Sequence, residues 1–195
     1  IAGKLAARQR YKDAVRLADL VLAVYPDHTD TLLFMASLAL ENNNIDSAAG
    51  YLKNISADSK ATNRVQAAWA RIYTAQQEYD QAEKAYLAAI NLAPQNMEYY
   101  AELAEIYLQE EKYDKAHELL ETMTALFADS PRPYLALALY YVKRGNPGKA
   151  ENNIMLALET DPRSYKTHLF LGDFYQSQFR VREAEAALQK AIGLA

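Results

Sequence analysis

Three histidines are the first candidates for chemistry in this chain: His28, His117 and His168. The run His117-Glu118-Leu119-Leu120-Glu121 carries half of a helical zinc-protease motif. That motif needs a second His four residues after the first, so that one helix face presents two imidazoles to one metal. Glu121 stands there instead, and no metal site is expected. His28 follows Pro26 in a turn, and His168 reads as an ordinary residue of a helix face. The chain has no Cys, which excludes a disulfide framework, a thiolate zinc site and a cysteine nucleophile. No Ser or Lys stands in a nucleophile motif, and the six glycines form no phosphate-cradling loop. Gly145-Asn146-Pro147-Gly148 has the chemistry of a turn. Asn54-Ile55-Ser56 matches a glycosylation sequon, but the preferred reading is the surface of a second helix with Ile55 inward. No enzymatic role and no cofactor are expected from these residues.

Composition narrows the remaining classes. In 195 residues, 21 Lys and Arg oppose 25 Asp and Glu, for a net charge of −4. Sequence-blind nucleic-acid binding relies on clustered cations, so it is not expected here. No stretch approaches the length of uncharged apolar residues that a bilayer span needs, and no signal-peptide pattern stands in these residues. A chain without Cys tolerates oxidising and reducing surroundings equally.

The elements that must position any site are set by an internal repeat. Ala14, Ala48, Ala82, Ala116, Ala150 and Ala184 are spaced by 34 residues. Ala2, Ala36, Ala70, Ala104, Ala138 and Gly172 run in step with them. A third column holds Leu5, Ala39, Tyr73, Tyr107, Tyr141 and Tyr175, and a fourth Val21, Ile55, Ala89, Met123, Ala157 and Ala191. A large residue recurs as Ile1, Met35, Trp69, Leu103, Leu137 and Leu171. Pro26, Pro94 and Pro162 punctuate the same period, with Lys60 and Ala128 in the other two places. No insertion breaks the spacing. Such a period marks stacked supersecondary units.

Each unit reads as two helices. In residues 63–96, Ala67, Trp69, Ala70, Ile72 and Tyr73 recur at helical spacing, Gln76–Glu78 makes a polar turn, and Tyr79, Ala82, Tyr86, Ala89 and Ile90 trace a second stripe. Pro94 ends it, because proline cannot continue a helix. Further turns are expected at Glu41–Asn44, Glu110–Lys112 and Arg144–Gly148, and Pro131 and Pro133 sit where a helix opens. The small columns let two helices approach closely. Trp69 and Tyr86 read as core. One unit cannot bury both stripes alone, so neighbours must stack.

These residues resemble the tetratricopeptide repeat, a 34-residue helix–turn–helix. Its pattern is met by Trp69-Ala70, Tyr73, Ala82, Tyr86, Ala89 and Pro94, then by Leu103-Ala104, Tyr107, Ala116, Leu120 and Met123. Leu137-Ala138, Tyr141, Ala150, Ile154, Ala157 and Pro162 repeat it, as do Leu171-Gly172, Tyr175, Ala184, Leu188 and Ala191. The second unit departs most, with Ala39 for Tyr and Lys60 for Pro. The resemblance implies an all-α, right-handed superhelical solenoid, in a single array over 1–195: a partial repeat at 1–28, repeats at 29–62, 63–96, 97–130 and 131–164, and an incomplete one at 165–195. Ile1 falls on the large column and Leu188, Ala191 and Ile192 still present a stripe, so a fragment of a longer protein is expected.

The resemblance also implies a concave groove lined by the first helix of each unit. It points inward Asp30, Leu33, Phe34, Ser37, Leu40 and Glu41; then Arg64, Ala67, Ala68, Arg71 and Thr74; then Glu98, Ala101, Glu102, Glu105 and Leu108. The fifth unit adds Arg132, Leu135, Ala136, Leu139, Val142 and Lys143, and the sixth Lys166, Leu169, Phe170, Asp173 and Gln176. Each set lies on one helical face. The family's carboxylate clamp for acidic chaperone tails is not matched. The place of its first Asn holds Gly3, Ser37, Arg71, Glu105, Leu139 and Asp173, and the place of its Lys holds Leu33, Ala67, Ala101, Leu135 and Leu169.

The groove that remains is mixed. Arg64 and Arg71 read as a basic spot, with Glu98, Glu102 and Glu105 as an acidic one beside it. Leu135, Leu139, Val142, Leu169 and Phe170 are either packing against neighbouring helices or a slot for an amphipathic helix. The expected function is a protein–protein interaction scaffold that binds a peptide or helix partner. Two alternatives stand beside it: a spacer or self-association module in a larger assembly, such as a bacterial envelope secretion or polymer-export machine, and a substrate-recognition array of a larger enzyme.

Overall fold

A computed structural model describes the backbone of residues 2–60 and 62–195, with side chains from residue 12 onward apart from residue 61. Among the described residues every regular element is helical: α1 (Ala2–Val24), α2 (Thr29–Glu41), α3 (Ile45–Lys53), α4 (Asn63–Ala75), α5 (Tyr79–Leu92), α6 (Met97–Gln109), α7 (Tyr113–Leu126), α8 (Pro131–Lys143), α9 (Pro147–Thr160), α10 (Tyr165–Ser177) and α11 (Val181–Leu194). One turn of 3-10 helix, Ala57–Ser59, follows α3. The chain divides into two compact units, Ile1–Tyr99 and Tyr100–Ala195. In the first, α2 pairs with α3 and α4 with α5, while α2 and α3 both touch α4 and α1 rests on α2. In the second, α8 pairs with α9 and α10 with α11, and α7 on α8 and α9 on α10 join the layers.

The turns explain why the period is so regular. Asn43, Gln77, Glu111, Gly145 and Phe179 all adopt positive φ, between 57° and 66°, and they stand 34 residues apart. The amide of the next residue then reaches back five positions. Asn44, Glu78, Lys112, Asn146 and Arg180 donate to the carbonyls of Ala39, Tyr73, Tyr107, Tyr141 and Tyr175 at 2.8–2.9 Å. This left-handed closure satisfies carbonyls that the ending helix leaves unpaired. Two of the five following helices gain a side-chain cap: Asn44 accepts from the Ser47 amide, and Asn146 from the Lys149 amide, both at 3.1 Å.

Small residues lie where helices meet. Ala48, Ala82, Ala116 and Ala150 are fully buried, as are Ala70 and Ala138. Gly172 shows the steric limit. A Cβ there would stand 2.6 Å from Cγ and Cδ2 of Leu188, on the partner helix α11. Large residues fill the space around these contacts. Leu32, Leu52, Ile55, Val65 and Ile72 form one buried cluster in the first unit, and Ile154, Leu171 and Phe174 join Ala138, Ala150 and Ala187 in the second. Tyr86 is buried; Trp69 is half-buried and stacks on Tyr73 at 5.7 Å.

Four expectations are corrected. The first repeat, at 1–28, does not hold a helix pair: α1 runs as one helix. A left-handed break costs about 1–2 kcal/mol, and it is stabilised only where a full first helix docks back on the second. The readings placed on Ile1, Ala2, Gly3 and Leu5 lie outside the described side chains. Ile55 is inward, at 2% exposure, yet it stands beyond α3, which ends at Lys53 with Asn54 as its cap. Neither Asn54 nor Ser56 favours a helix interior, because their side chains compete for the backbone. Glu41 belongs to α2 and not to the turn after it. Pro147 and Gly148 open α9 instead of belonging to the turn, with Asn146 as the cap; proline is preorganised for the first helical position.

Candidate functional site

Two clefts of similar size open on the faces of the first helices, one in each compact unit. The first, of about 600 Å³, lies between α2 and α4 and is closed at one end by the start of α6. Phe34 and Ser37 come from α2, Arg64 and Arg71 from α4, and Glu98 from α6. Arg64 is ion-paired to Asp30, its counterpart one period earlier. Both partners are more than half exposed, so water screens the pair and its net contribution to stability is small. Deeper in, the Asn63 side-chain amide donates to the Tyr99 hydroxyl at 3.1 Å, which pins the start of α6 against the start of α4.

The second cleft, of about 610 Å³, lies between α6 and α8. Ala101, Ala104 and Ala136 are its small lining residues, and Leu108, Tyr113, Leu120 and Leu139 its large ones. Glu105, Glu111 and Lys143 carry its charges.

The sequence-derived residues therefore divide. Phe34, Ser37, Arg64, Arg71 and Glu98 share the first cleft, and Glu105 and Leu139 the second. Glu102, Arg132, Leu135, Val142, Lys166, Leu169, Phe170 and Asp173 line neither. Arg64 and Arg71 line the first cleft together, with Arg64 ion-paired to Asp30, and Glu98 lines the same cleft. The five-residue apolar slot also divides. Leu135 and Phe170 pack against the buried cluster of the second unit, whereas Leu139, Val142 and Leu169 remain about two-fifths exposed or more. Asn63, Asn96 and Tyr99 in the first cleft, and Gln109, Glu111 and Tyr113 in the second, were not anticipated. Gln109 stands one period before Lys143, so the repeat alone could have found it. Tyr99 stands one period after the fully buried Val65, and nothing in the spacing announces that its hydroxyl reaches a cleft.

The histidines make local contacts within and between helices. His117 Nε2 lies 3.1 Å from the Tyr141 hydroxyl and 3.6 Å from Glu121, with its ring 5.2 Å from that of Tyr140. His28 caps α2, and His168 Nε2 lies 3.1 Å from the Pro162 carbonyl. Among the described residues no group of three or more His, Asp or Glu is placed to hold a metal ion. No helix among them is long and apolar enough to cross a membrane.

A polar network on α9, α10 and α11 lies outside both clefts. Tyr175 on α10 donates to Glu151 Oε1 on α9 at 2.8 Å. Arg180 donates to Glu151 Oε2 at 2.7 Å, reaches Glu183, and stacks on the Tyr175 ring at 4.3 Å. The Arg180 hydrogen bond holds the Glu151 carboxyl below the ordinary 4.5 of a glutamate, and the same guanidinium lowers Glu183. Burial, then the hydrogen bond to Glu151, pushes the Tyr175 hydroxyl above 10.

Models of the tetratricopeptide repeat match residues 5–72, 73–140 and 135–195. The chain belongs to the tetratricopeptide repeat family. That family works characteristically through protein–protein interaction and without catalysis. Solved tetratricopeptide structures share the fold. A crystal structure of MamA is 22% identical, with a TM-score of 0.66 over 85% of this chain and 97% of that one. A thermophilic tetratricopeptide protein from Thermus thermophilus is 22% identical, with a TM-score of 0.67 over 95% and 94%. Cut9, in the APC/C hetero-tetramer Cut9–Hcn1, is 21% identical, with a TM-score of 0.73 over 94% of this chain and 37% of that one. A search of curated protein sequences returns no match.

Proposed function

We propose that this tetratricopeptide array is a non-catalytic scaffold that holds a peptide or amphipathic helix along the exposed faces of its first helices. The observation that carries this reading is the recurrence of the cleft. In each unit two consecutive first helices leave an open concavity of about 600 Å³, large enough to receive side chains of an extended or helical segment. The partner is proposed to contact Phe34, Ser37, Arg71 and Glu98 in one unit, and Glu105 and Leu139 in the other. Glu102, Arg132, Val142, Lys166, Leu169 and Asp173 are proposed to extend this surface. Cut9, which shares the fold, is a component of a hetero-tetramer with Hcn1, in keeping with such a role.

The test is selection of peptides from a displayed random dodecapeptide library on the intact chain, followed by fluorescence anisotropy with the selected peptides. Arg71→Glu or Leu139→Glu should weaken each peptide about ten-fold or more, equivalent to about 1.4 kcal/mol, with helicity by circular dichroism unchanged. Asp114→Lys, an exposed change on α7, should leave binding intact. Peptides that bind equally well to both cleft variants would overturn the reading.

A further inference from the structure

The two clefts differ in whether their charges are already satisfied. In the α2/α4 cleft, Arg64 is held by Asp30. In the α6/α8 cleft, Glu105, Glu111 and Lys143 line the opening, and none of the three forms a salt bridge or a side-chain hydrogen bond with the described residues. Ala101, Ala104 and Ala136 line the same cleft, as does Leu139 at 43% exposure. Small side chains at three of these positions leave room for a bulky one to enter.

Any segment that fills this cleft also displaces water from the three charges. An ionised group that loses its water without gaining a partner is strongly disfavoured, so a covering segment is penalised unless it brings opposite charges to the same places. Such a penalty selects partners by rejecting wrong ones. The cleft holds two carboxylates on the α6 side, at Glu105 and at Glu111 in the following turn, and one ammonium on α8, at Lys143. Its demand is therefore for a cation on one flank and an anion on the other, with the excess towards cations.

We propose that the α6/α8 cleft recognises a protein segment that inserts one bulky apolar side chain and flanks it with a Lys or Arg facing Glu105 and Glu111 and an acidic residue facing Lys143. This rests on the scaffold reading above and names the chemistry of the partner for one of its two clefts.

The test uses three fluorescein-labelled dodecapeptides on the full chain. The first has a central Leu with Arg on one flank and Glu on the other. The second replaces the Arg by Glu, and the third keeps both charges but replaces the Leu by Ala. Anisotropy titrations should show the first binding at least ten-fold more tightly than either of the others. Glu105→Lys should remove the preference of the first over the second, and Leu139→Glu should abolish binding of the first with helicity retained. Equal binding of the first and second peptides overturns the charge selection, and equal binding of the first and third overturns the anchor. Binding lost on Arg71→Glu but kept on Leu139→Glu assigns the peptide to the other cleft, so the scaffold reading survives and this inference falls. Failure of the first peptide to bind also overturns the inference. The scaffold reading falls with it only if the displayed library yields no cleft-dependent peptide.

Discussion

The α2/α4 and α6/α8 clefts are built on the same backbone plan and furnished in opposite ways. Arg71, Glu105 and Leu139 occupy one register at successive 34-residue steps, and each faces a cleft. The helix-crossing positions behind them hold the opposite lesson. Ala70, Ala82, Ala138 and Ala150 are invariably small and fully buried. A crossing position is constrained by contact on every side, so a change of size is felt at once. A cleft position faces water and is constrained only by what docks there. The two units thus share a packing code and differ in surface chemistry.

The comparison is broken most strongly by cavities. Ile72→Ala in the first unit and Ile154→Ala in the second remove fully buried side chains, and each should cost about 2–5 kcal/mol in urea unfolding. Hydrogen exchange should show protection falling first in the unit that carries the change, since repeat arrays open locally. Simultaneous loss in both units would show that the division at Tyr99 and Tyr100 has no energetic meaning.

Acid should act next, on the second unit. Glu151 and Glu183 have carboxyls lowered below 4.5 by Arg180. A depressed carboxyl adds stability that is present above its unfolded value and lost as pH falls through its folded value. Protection in α9–α11 should therefore fall as pH drops below about 4.5, and Arg180→Met should flatten this dependence. A pH profile unchanged by Arg180→Met would remove the network from the account.

The smallest effect belongs to the first cleft. Arg64→Ala breaks an exposed ion pair and should shift the urea unfolding free energy by no more than about 1 kcal/mol. A larger loss would mean that this cleft is a structural joint, which would sharpen the contrast with its neighbour in an unforeseen direction.

The packing code was legible in the sequence because steric contact leaves a residue-type signature at fixed spacing. The Ala columns, Tyr86, and the openings of α8 at Pro131 and of the turn at Gln76–Glu78 all carried it. Element ends were read less well. Ile55 kept its inward position while the helix around it stopped at Lys53, because burial and helicity are separate demands that usually coincide. The clefts were legible only as faces. Periodicity placed Arg64 on the groove side, but its partnership with Asp30 depends on the distance between neighbouring repeats. Leu135 and Leu139 stand four residues apart on one face, yet Leu135 packs against the buried cluster while Leu139 stays open, a difference that spacing alone does not carry.

The five left-handed closures have a consequence for how such an array can change. Each bend is secured by main-chain atoms, with Asn, Gln, Glu, Gly and Phe all serving at the reversal point. Phe179 even stands 90% exposed there. The reversal inside each helix pair is thus held by the main chain and tolerates several residue types at its corner.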